Sequence, residues 1–242
     1  AHFNFNNNHH SLLNNNLLSA LPSPFQACAN SLTYINLNNN MLTSIPTSIS
    51  TATGLNTLLL KYNNISSLPA SLSSLTSLHD FDMEHNSMTT LPPNSVFINT
   101  AIDDVKFGFN LLTSLPDYWC TMPDITSFNV YNNKLTSMPS STTCINTLTY
   151  INMAGNMLTS LSSSFNTITS LQVLKLSGNL LTSMPSLSLT KLTYLFVFTL
   201  SHSVLFSFTS NTLIPLISVM YQAIASSIFH HFLPALVSSN CL

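Results

Sequence analysis

The residues of this sequence most able to do chemistry are acidic side chains concentrated between positions 80 and 104. Five of the seven acidic residues of the chain fall in this interval, together with His85, and His79 and Lys106 lie just outside it. These residues are His79, Asp80, Asp82, Glu84, His85, Asp103, Asp104 and Lys106. Carboxylates beside histidines can transfer protons, hold a cation or bind the basic groups of a partner, so these three chemistries have to be compared.

Catalysis and metal binding have little support in the rest of the sequence. A histidine beside an aspartate forms a catalytic triad only with an activated nucleophile and an oxyanion site in register. The sequence contains no GxGxxG, GxxxxGKS/T or HExxH motif. Calcium held by Asp80, Asp82, Asp104 and His79 would need about six to eight oxygen ligands and a dedicated loop, which the sequence does not offer. We therefore expect no enzyme activity, no cofactor and no metal site.

The overall composition limits the range of partners. Charged residues make up only 5% of the chain, against about 25% in a typical soluble domain, so serine, threonine and asparagine must supply much of the surface. The chain has five basic and seven acidic residues, and therefore no cationic field that could hold a phosphate backbone. Nucleic-acid binding is thus not expected, and a protein or peptide partner is favoured.

The elements that position the acidic residues follow from an internal repeat. The phrase YINLNNNMLTSIP at residues 34–46 returns almost unchanged as YINMAGNMLTSL from residue 150. Its central asparagine recurs every 23 or 24 residues. The series is Asn40, Asn63, Asn86, Asn110, Asn133, Asn156 and Asn179. Each unit reads LxxLxLxxNxL, in which the first leucine is position 1 and the asparagine is position 9.

This pattern resembles that of the leucine-rich repeat family over about residues 8–191, in a form that continues with TSLP. The resemblance implies an α/β solenoid, the leucine-rich repeat horseshoe, with a parallel β-sheet on the concave face and short helical or irregular convex segments. The period-2 alternation independently predicts a short strand with one buried face, which neighbouring units must cover. The position-9 asparagines are expected to form a structural ladder, in which each buried amide bonds the backbone at the corner after its strand.

The return path of each unit carries a second apolar column. A proline follows the strand and corner in most units, and an apolar residue comes three positions after it. These residues are Phe25, Ile49, Leu72, Trp119 and Phe165. We interpret them as core.

Residues between the apolar positions of each strand point to solvent, so they form the predicted ligand-binding surface on the concave face. Within this surface, the candidate binding residues in and beside the charge cluster are Tyr62, His79, Asp80, Asp82, Glu84, His85, Asp103, Asp104, Lys106, Phe109 and Tyr131. Neighbouring units should place Asp82 beside Lys106, Glu84 beside Lys61, and Asp80 beside Asp104. Exposed aromatic residues beside charges are typical of protein-binding surfaces. A plain solvated face, with no ligand, explains the same charges equally well.

The sequence predicts three segments: an incomplete N-terminal repeat at 1–31, seven repeats at 32–191, and a degenerate repeat with an uncharged hydrophobic tail at 192–242. The tail is compatible with a cap, a membrane segment or a non-native extension. Cys120 and Cys144 lie near one unit apart on return segments, so they form either a disulfide or two buried thiols. The sequon Asn64-Ile65-Ser66 slightly favours a cell-surface or secreted location over a cytoplasmic one.

The sequence therefore predicts a non-enzymatic protein–protein interaction module that binds a protein or peptide ligand on its concave face. The alternative is a structural surface-coat or self-assembling subunit, with the C-terminal tail as a membrane anchor. The low charge favours the alternative, because near-neutral surfaces associate readily. The concentration of charge on two units favours the binding module.

Overall fold

The fold is that of a computed structural model of the chain. The described residues are 10–21, 29–98, 100–119, 123–139, 147–162, 168–182 and the strand at 194–196. All of them belong to one compact unit, residues 1–205. Cys120 and Cys144 lie outside the described residues, and so does the tail at 192–242 apart from that strand.

The described residues form one parallel sheet of nine strands, whose spatial order is the order along the chain. Each strand has three residues. The strands are β1 (His10–Leu12), β2 (Tyr34–Asn36), β3 (Thr57–Leu59), β4 (Asp80–Asp82), β5 (Asp104–Lys106), β6 (Ser127–Asn129), β7 (Tyr150–Asn152), β8 (Val173–Lys175) and β9 (Tyr194–Phe196). This arrangement confirms the predicted fold class, in which one short strand per repeat is stabilised only by its neighbours.

Neighbouring strands pair in register, so that each position of the repeat forms a column across the sheet. Tyr34 pairs with Thr57, Ile35 with Leu58, and the same relation continues through β8 and β9. The middle residue of each strand from β2 to β8 is buried, and its two neighbours are half-buried on the other face. The side chains at positions 3 and 5 therefore share one exposed sheet face, which corresponds to the predicted concave face.

Aromatic residues in the core alternate between positions 4 and 6 on successive units. Phe81 is at position 4 of its unit, Phe107 is at position 6 of the next, and Phe128 returns to position 4; all three are buried. Phe81 and Phe107 meet edge to face, with ring centroids 6.0 Å apart. The smaller Val105 occupies position 4 in the unit of Phe107, and Val130 occupies position 6 in the unit of Phe128. The alternation keeps the core close-packed, because two phenyl rings in one column would compete for the same space.

Four described return segments contain a short helical turn, and three of these turns begin directly after a proline. Their bounds are Ala29–Ser31, Thr47–Thr51 and Ala70–Ser74, which are 3-10 turns, and Asn94–Ile98, the single-turn helix α1. Pro46 and Pro69 precede two of these turns in extended conformation, where a missing N–H costs no ladder bond. Ile49, Leu72 and Trp119 are fully buried, whereas Phe25 and Phe165 lie outside the described residues.

The position-9 asparagines form the same three hydrogen bonds in every unit. In Asn133, Oδ1 accepts the N–H of Leu112 at 2.9 Å, while Nδ2 donates to the carbonyls of Phe107 at 2.9 Å and Val130 at 3.0 Å. Equivalent bonds are made by Asn40, Asn63, Asn86, Asn110, Asn156 and Asn179. Each amide thus satisfies one group of its own unit and two of the preceding unit.

The residue before each corner asparagine adopts the left-handed conformation, with φ between 51° and 68°. These position-8 residues are Asn15, Asn39, Tyr62, His85, Phe109, Asn132, Gly155 and Gly178. Glycine and asparagine are the residues that adopt this conformation at least cost. Three consecutive units depart from that preference, because they place Tyr62, His85 and Phe109 there.

Adding a methyl group at Gly155 is expected to destabilise the fold by about 1 to 2 kcal/mol, the cost of a left-handed non-glycine residue. Its φ is +66°, and a Cβ atom there would come within 2.0 Å of Oδ1 of Asn132. Gly54→Ala is the matched control, since a Cβ atom there would meet nothing within 4 Å. Urea unfolding of Gly155→Ala and Gly54→Ala would measure the difference. Equal stabilities for the two variants would contradict this account.

No helix among the described residues is long and apolar enough to cross a membrane.

Candidate ligand-binding face

The structure divides the predicted binding residues into three groups on or beside the exposed sheet face. The charged centre consists of Lys61, Asp80, Asp82, Glu84, Asp104 and Lys106. The aromatic ridge consists of Tyr62, His85, Phe109 and Tyr131, whose rings contact one another in that order. His79 and Asp103 form a separate pair one residue before strands β4 and β5.

Two lysines organise the charged centre. Nζ of Lys61 donates to Oε2 of Glu84 at 2.6 Å, as the register between their units predicts. Nζ of Lys106 lies 2.9 Å from Oδ1 of Asp80 and 3.6 Å from Oδ2 of Asp104. The repulsion expected between these two aspartates is therefore offset by a shared ammonium group.

The pairing expected between Asp82 and Lys106 is only partly correct. Their backbones are partners in the sheet, but the ammonium group of Lys106 turns to Asp80 and Asp104 instead. Within the part of the chain that the structure describes, no lysine or histidine lies within ion-pair distance of Asp82. Sequence register fixes which backbones are adjacent, whereas the choice among three nearby carboxylates depends on side-chain rotamers.

Asp82 also closes a local turn that does not require its charge. Its Oδ1 accepts the N–H of Glu84 at 2.9 Å. Asn36 and Asn152 occupy the same position of other units and accept the equivalent N–H groups at 3.0 and 3.2 Å. An amide oxygen therefore serves this turn as well as a carboxylate does.

Replacing Asp82 with asparagine is expected to stabilise the protein slightly at neutral pH. Burial raises the pKa of Asp82, with Glu84 adding to the effect and the N–H of Glu84, Lys61 and Lys106 opposing it. The folded state therefore binds this proton more tightly than the unfolded chain does, and stability falls as the pH rises from the unfolded to the folded pKa. Asp82→Asn removes that cost.

The gain should be full above the folded pKa of Asp82 and absent below its unfolded value of about 3.9. Urea unfolding of the native chain and Asp82→Asn at a series of pH values would measure it. A variant that is less stable at neutral pH would show that the carboxylate supports the fold.

An open pocket of about 420 Å³ lies within the charged centre. Its lining consists of Asp82, Glu84, Asp104, Lys106, Ser127, Asn129 and Tyr150. Ser127, Asn129 and Tyr150 lie on the predicted binding surface, in the same columns of the sheet on the next two strands, but the sequence did not single them out as candidates. Tyr150 forms one side of the pocket, and Nζ of Lys175 lies 5.3 Å from the centre of its ring. This side of the pocket therefore already contacts a cation.

The aromatic ridge is a continuous stack. The rings of Tyr62 and His85 are 4.1 Å apart and those of His85 and Phe109 are 4.0 Å apart, both nearly parallel. Tyr131 then meets Phe109 edge to face at 4.9 Å. Tyr62 is 47% exposed and Phe109 is 40% exposed. The sequence identified these aromatic residues as exposed but did not indicate that they stack.

Neighbouring groups keep the ridge uncharged. Burial lowers the pKa of His85, and nearby Lys61 lowers it further, so its ring is neutral at neutral pH. Burial raises the pKa of Tyr131, with Glu84 contributing, so its phenol stays protonated. Tyr131 lies directly over Gly108, where a Cβ atom would come within 2.1 Å of its ring. The absence of a side chain at residue 108 therefore allows the ring to cover the backbone.

His79 and Asp103 lie outside the pocket. Nδ1 of His79 is 3.5 Å from Oδ1 of Asp103 and 3.0 Å from the carbonyl oxygen of Ala101, and its side chain is about half exposed. Among the described residues, no three histidine, cysteine or acidic side chains are arranged to hold a metal ion.

Comparison with known proteins agrees with this architecture. Residues 31–52 match a family model described as Leucine Rich Repeat. No curated protein sequence matches the chain. Among solved structures, a leucine-rich repeat protein of Leptospira interrogans has 24% identity and a TM-score of 0.64, over 74% of this chain and 52% of that one.

Two plant receptor structures are similar to the same extent. The plant peptide hormone receptor RGFR1, in complex with RGF2, has 26% identity and a TM-score of 0.62, over 74% of this chain and 30% of the receptor. The ectodomain of the Arabidopsis thaliana receptor kinase GASSHO1/SCHENGEN3 was solved in complex with CASPARIAN STRIP INTEGRITY FACTOR 2. It has 24% identity and a TM-score of 0.63, over 74% of this chain and 23% of the ectodomain. The chain thus spans about half or less of each of these structures.

Proposed function

We propose that this leucine-rich repeat protein is a non-enzymatic interaction module that binds a protein or peptide ligand on its exposed sheet face. The observation that carries the proposal is an open pocket lined by the charged centre, with the aromatic ridge next to that centre. Interfaces are typically built from desolvated aromatic anchors beside charged groups. The similar plant receptor that is described as a peptide hormone receptor supports a peptide ligand.

A specific observation favours the alternative, a self-assembling structural subunit. Five described units expose a large apolar side chain at position 10, directly after the position-9 asparagine: Leu17, Met41, Leu111, Met157 and Leu180. Exposed apolar groups along one flank could be covered by another copy of the chain. This flank is distinct from the exposed sheet face, so the two functions can be tested separately.

The proposed function can be tested by panning a displayed random-peptide library against the full chain. Ser127→Trp places a bulky side chain in the pocket, while Thr47→Trp adds the same bulk on an exposed return segment as the control. We expect the selected peptides to bind the Thr47→Trp variant and to lose binding to Ser127→Trp. Peptides that bind both variants equally would overturn the proposal. Concentration-dependent mass in light scattering, without any selected peptide, would establish the alternative.

A further inference from the structure

We propose that the ligand of the exposed sheet face is a basic peptide segment, in which an arginine or lysine side chain enters the pocket beside Asp82 and Asp104 and an adjacent flat side chain packs on the aromatic ridge. This inference rests on the proposed function and adds the chemical class of the ligand to it.

The charge distribution of the chain selects a basic partner. Five carboxylates and three lysines around the face, Lys61, Lys106 and Lys175, leave it with a net charge of −2. The other two lysines and two aspartates of the chain cancel, which accounts for the total of −2. All of the net negative charge is therefore on this face, and a complementary partner carries positive charge.

A second copy of this chain does not supply that complement. The sequence has no arginine, and its five lysines are separated from one another as Lys61, Lys106, Lys134, Lys175 and Lys191. Two of them are already paired within the charged centre. No stretch of the chain is therefore basic enough to match the face, and the occupant is a different polypeptide.

Asp82 is the carboxylate best placed to receive the basic group. It lines the pocket, and the ammonium group of Lys106 is directed to Asp80 and Asp104 instead. The turn that it closes is closed by neutral asparagine in two other units. The fold therefore does not need a negative charge at this position, and we assign the charge of Asp82 to recognition of a cation.

The aromatic ridge is maintained against the backbone preference of the array. Five of the eight described position-8 residues are asparagine or glycine, but Tyr62, His85 and Phe109 adopt the same left-handed conformation with large rings. Strained conformations of this kind are concentrated at binding sites. The rings of Tyr62 and Phe109 are partly exposed, so they present a flat surface on which an aromatic, proline or guanidinium group can stack.

The two parts of the face are close enough for adjacent ligand residues. Glu84 lines the pocket and the next residue, His85, is in the middle of the ridge. An extended peptide advances about 3.3 Å per residue, so a basic residue and its neighbour can reach both parts together. This geometry predicts a ligand with the two side-chain types next to each other.

The test uses the full chain and fluorescein-labelled octapeptides that differ only in their two central residues. Fluorescence anisotropy would compare the pairs Arg-Phe, Gln-Phe, Glu-Phe and Arg-Ser in a Gly/Ser background. We expect Arg-Phe to bind at least about tenfold more tightly than Gln-Phe or Glu-Phe, because each loses the charge-assisted contact with the carboxylates. Arg-Ser should bind about fivefold more weakly than Arg-Phe. Added salt should reduce the affinity for Arg-Phe more than the affinities for Gln-Phe and Glu-Phe.

Matched variants locate the interaction on this face. The double variant Asp82→Asn/Asp104→Asn should weaken Arg-Phe binding at least about tenfold. The control Asp117→Asn/Asp124→Asn removes the same charge from exposed positions outside the pocket and should change binding less than about twofold. Phe109→Asn keeps a residue suited to the left-handed conformation and should remove the advantage of Arg-Phe over Arg-Ser.

Equal binding of Glu-Phe and Arg-Phe, or equal effects of the two double variants, would overturn this inference. The proposed function is tested separately by the panning experiment, in which equal binding to Ser127→Trp and Thr47→Trp would overturn it. Selected peptides that lack basic residues and still lose binding to Ser127→Trp would refute the basic ligand while leaving the proposed function intact.

Discussion

Asn133→Ala is expected to destabilise the protein by about 2 to 4 kcal/mol, because it removes a buried amide on which three backbone groups depend. The N–H of Leu112 and the carbonyls of Phe107 and Val130 would lose their bonds to the side chain. Water cannot readily replace these bonds, since Asn133 is only 7% exposed and the bonds themselves are buried. Urea unfolding followed by circular dichroism would measure the change.

Asn64→Ala provides the control for this measurement. Asn64 comes directly after the corner residue Asn63, but its side chain is exposed. We expect its replacement to change stability by less than about 0.5 kcal/mol, as is usual for surface substitutions. An Asn133→Ala protein as stable as Asn64→Ala would show that the corner amides are not needed to hold successive units together.

Trp119→Ala should have the largest effect in the core, a loss of about 3 to 5 kcal/mol. Trp119 is fully buried and is the only tryptophan of the chain. Its ring meets Phe128 at 5.3 Å, and Phe128 lies in β6 between the pocket residues Ser127 and Asn129. The cavity left by alanine would remove support from the strand that forms one wall of the pocket.

Trp119→Phe separates loss of volume from loss of the aromatic contact. Phenylalanine retains a ring that can meet Phe128, so we expect a loss of about 1 to 3 kcal/mol, clearly smaller than for alanine. Thermal unfolding of Trp119→Ala, Trp119→Phe and the native chain would compare them. If the two variants were equally stable, the return segment of this unit would not be part of the core.

Much of this architecture could be predicted from the sequence because it is repeated. The 23- or 24-residue period places the seven strands β2 to β8, and the alternation around Phe81 or Phe128 identifies the buried face. Both features depend on residue type and spacing alone. The register that places Lys61 beside Glu84 follows from the same period, since parallel neighbours share repeat positions.

The details of the binding face depend on properties that the period does not contain. Lys106 has three aspartates within reach, and its choice of Asp80 and Asp104 is set by rotamers. The stacking of His85 between Tyr62 and Phe109 requires a left-handed backbone, which residue type would have argued against. Uncharged pocket residues such as Asn129 are identified by shape, which a search for charge does not detect.

The corner amides make the array directional. Among the described units, each position-9 side chain bonds its own unit and the preceding one, as Asn179 does with Leu176, Met153 and Leu158. A unit that emerges from the ribosome therefore finds its amide partners in chain that has already been synthesised. Repeat proteins can propagate structure from one nearest neighbour to the next, and chains are made from the N-terminus. Folding of this solenoid can consequently keep pace with translation, one unit at a time.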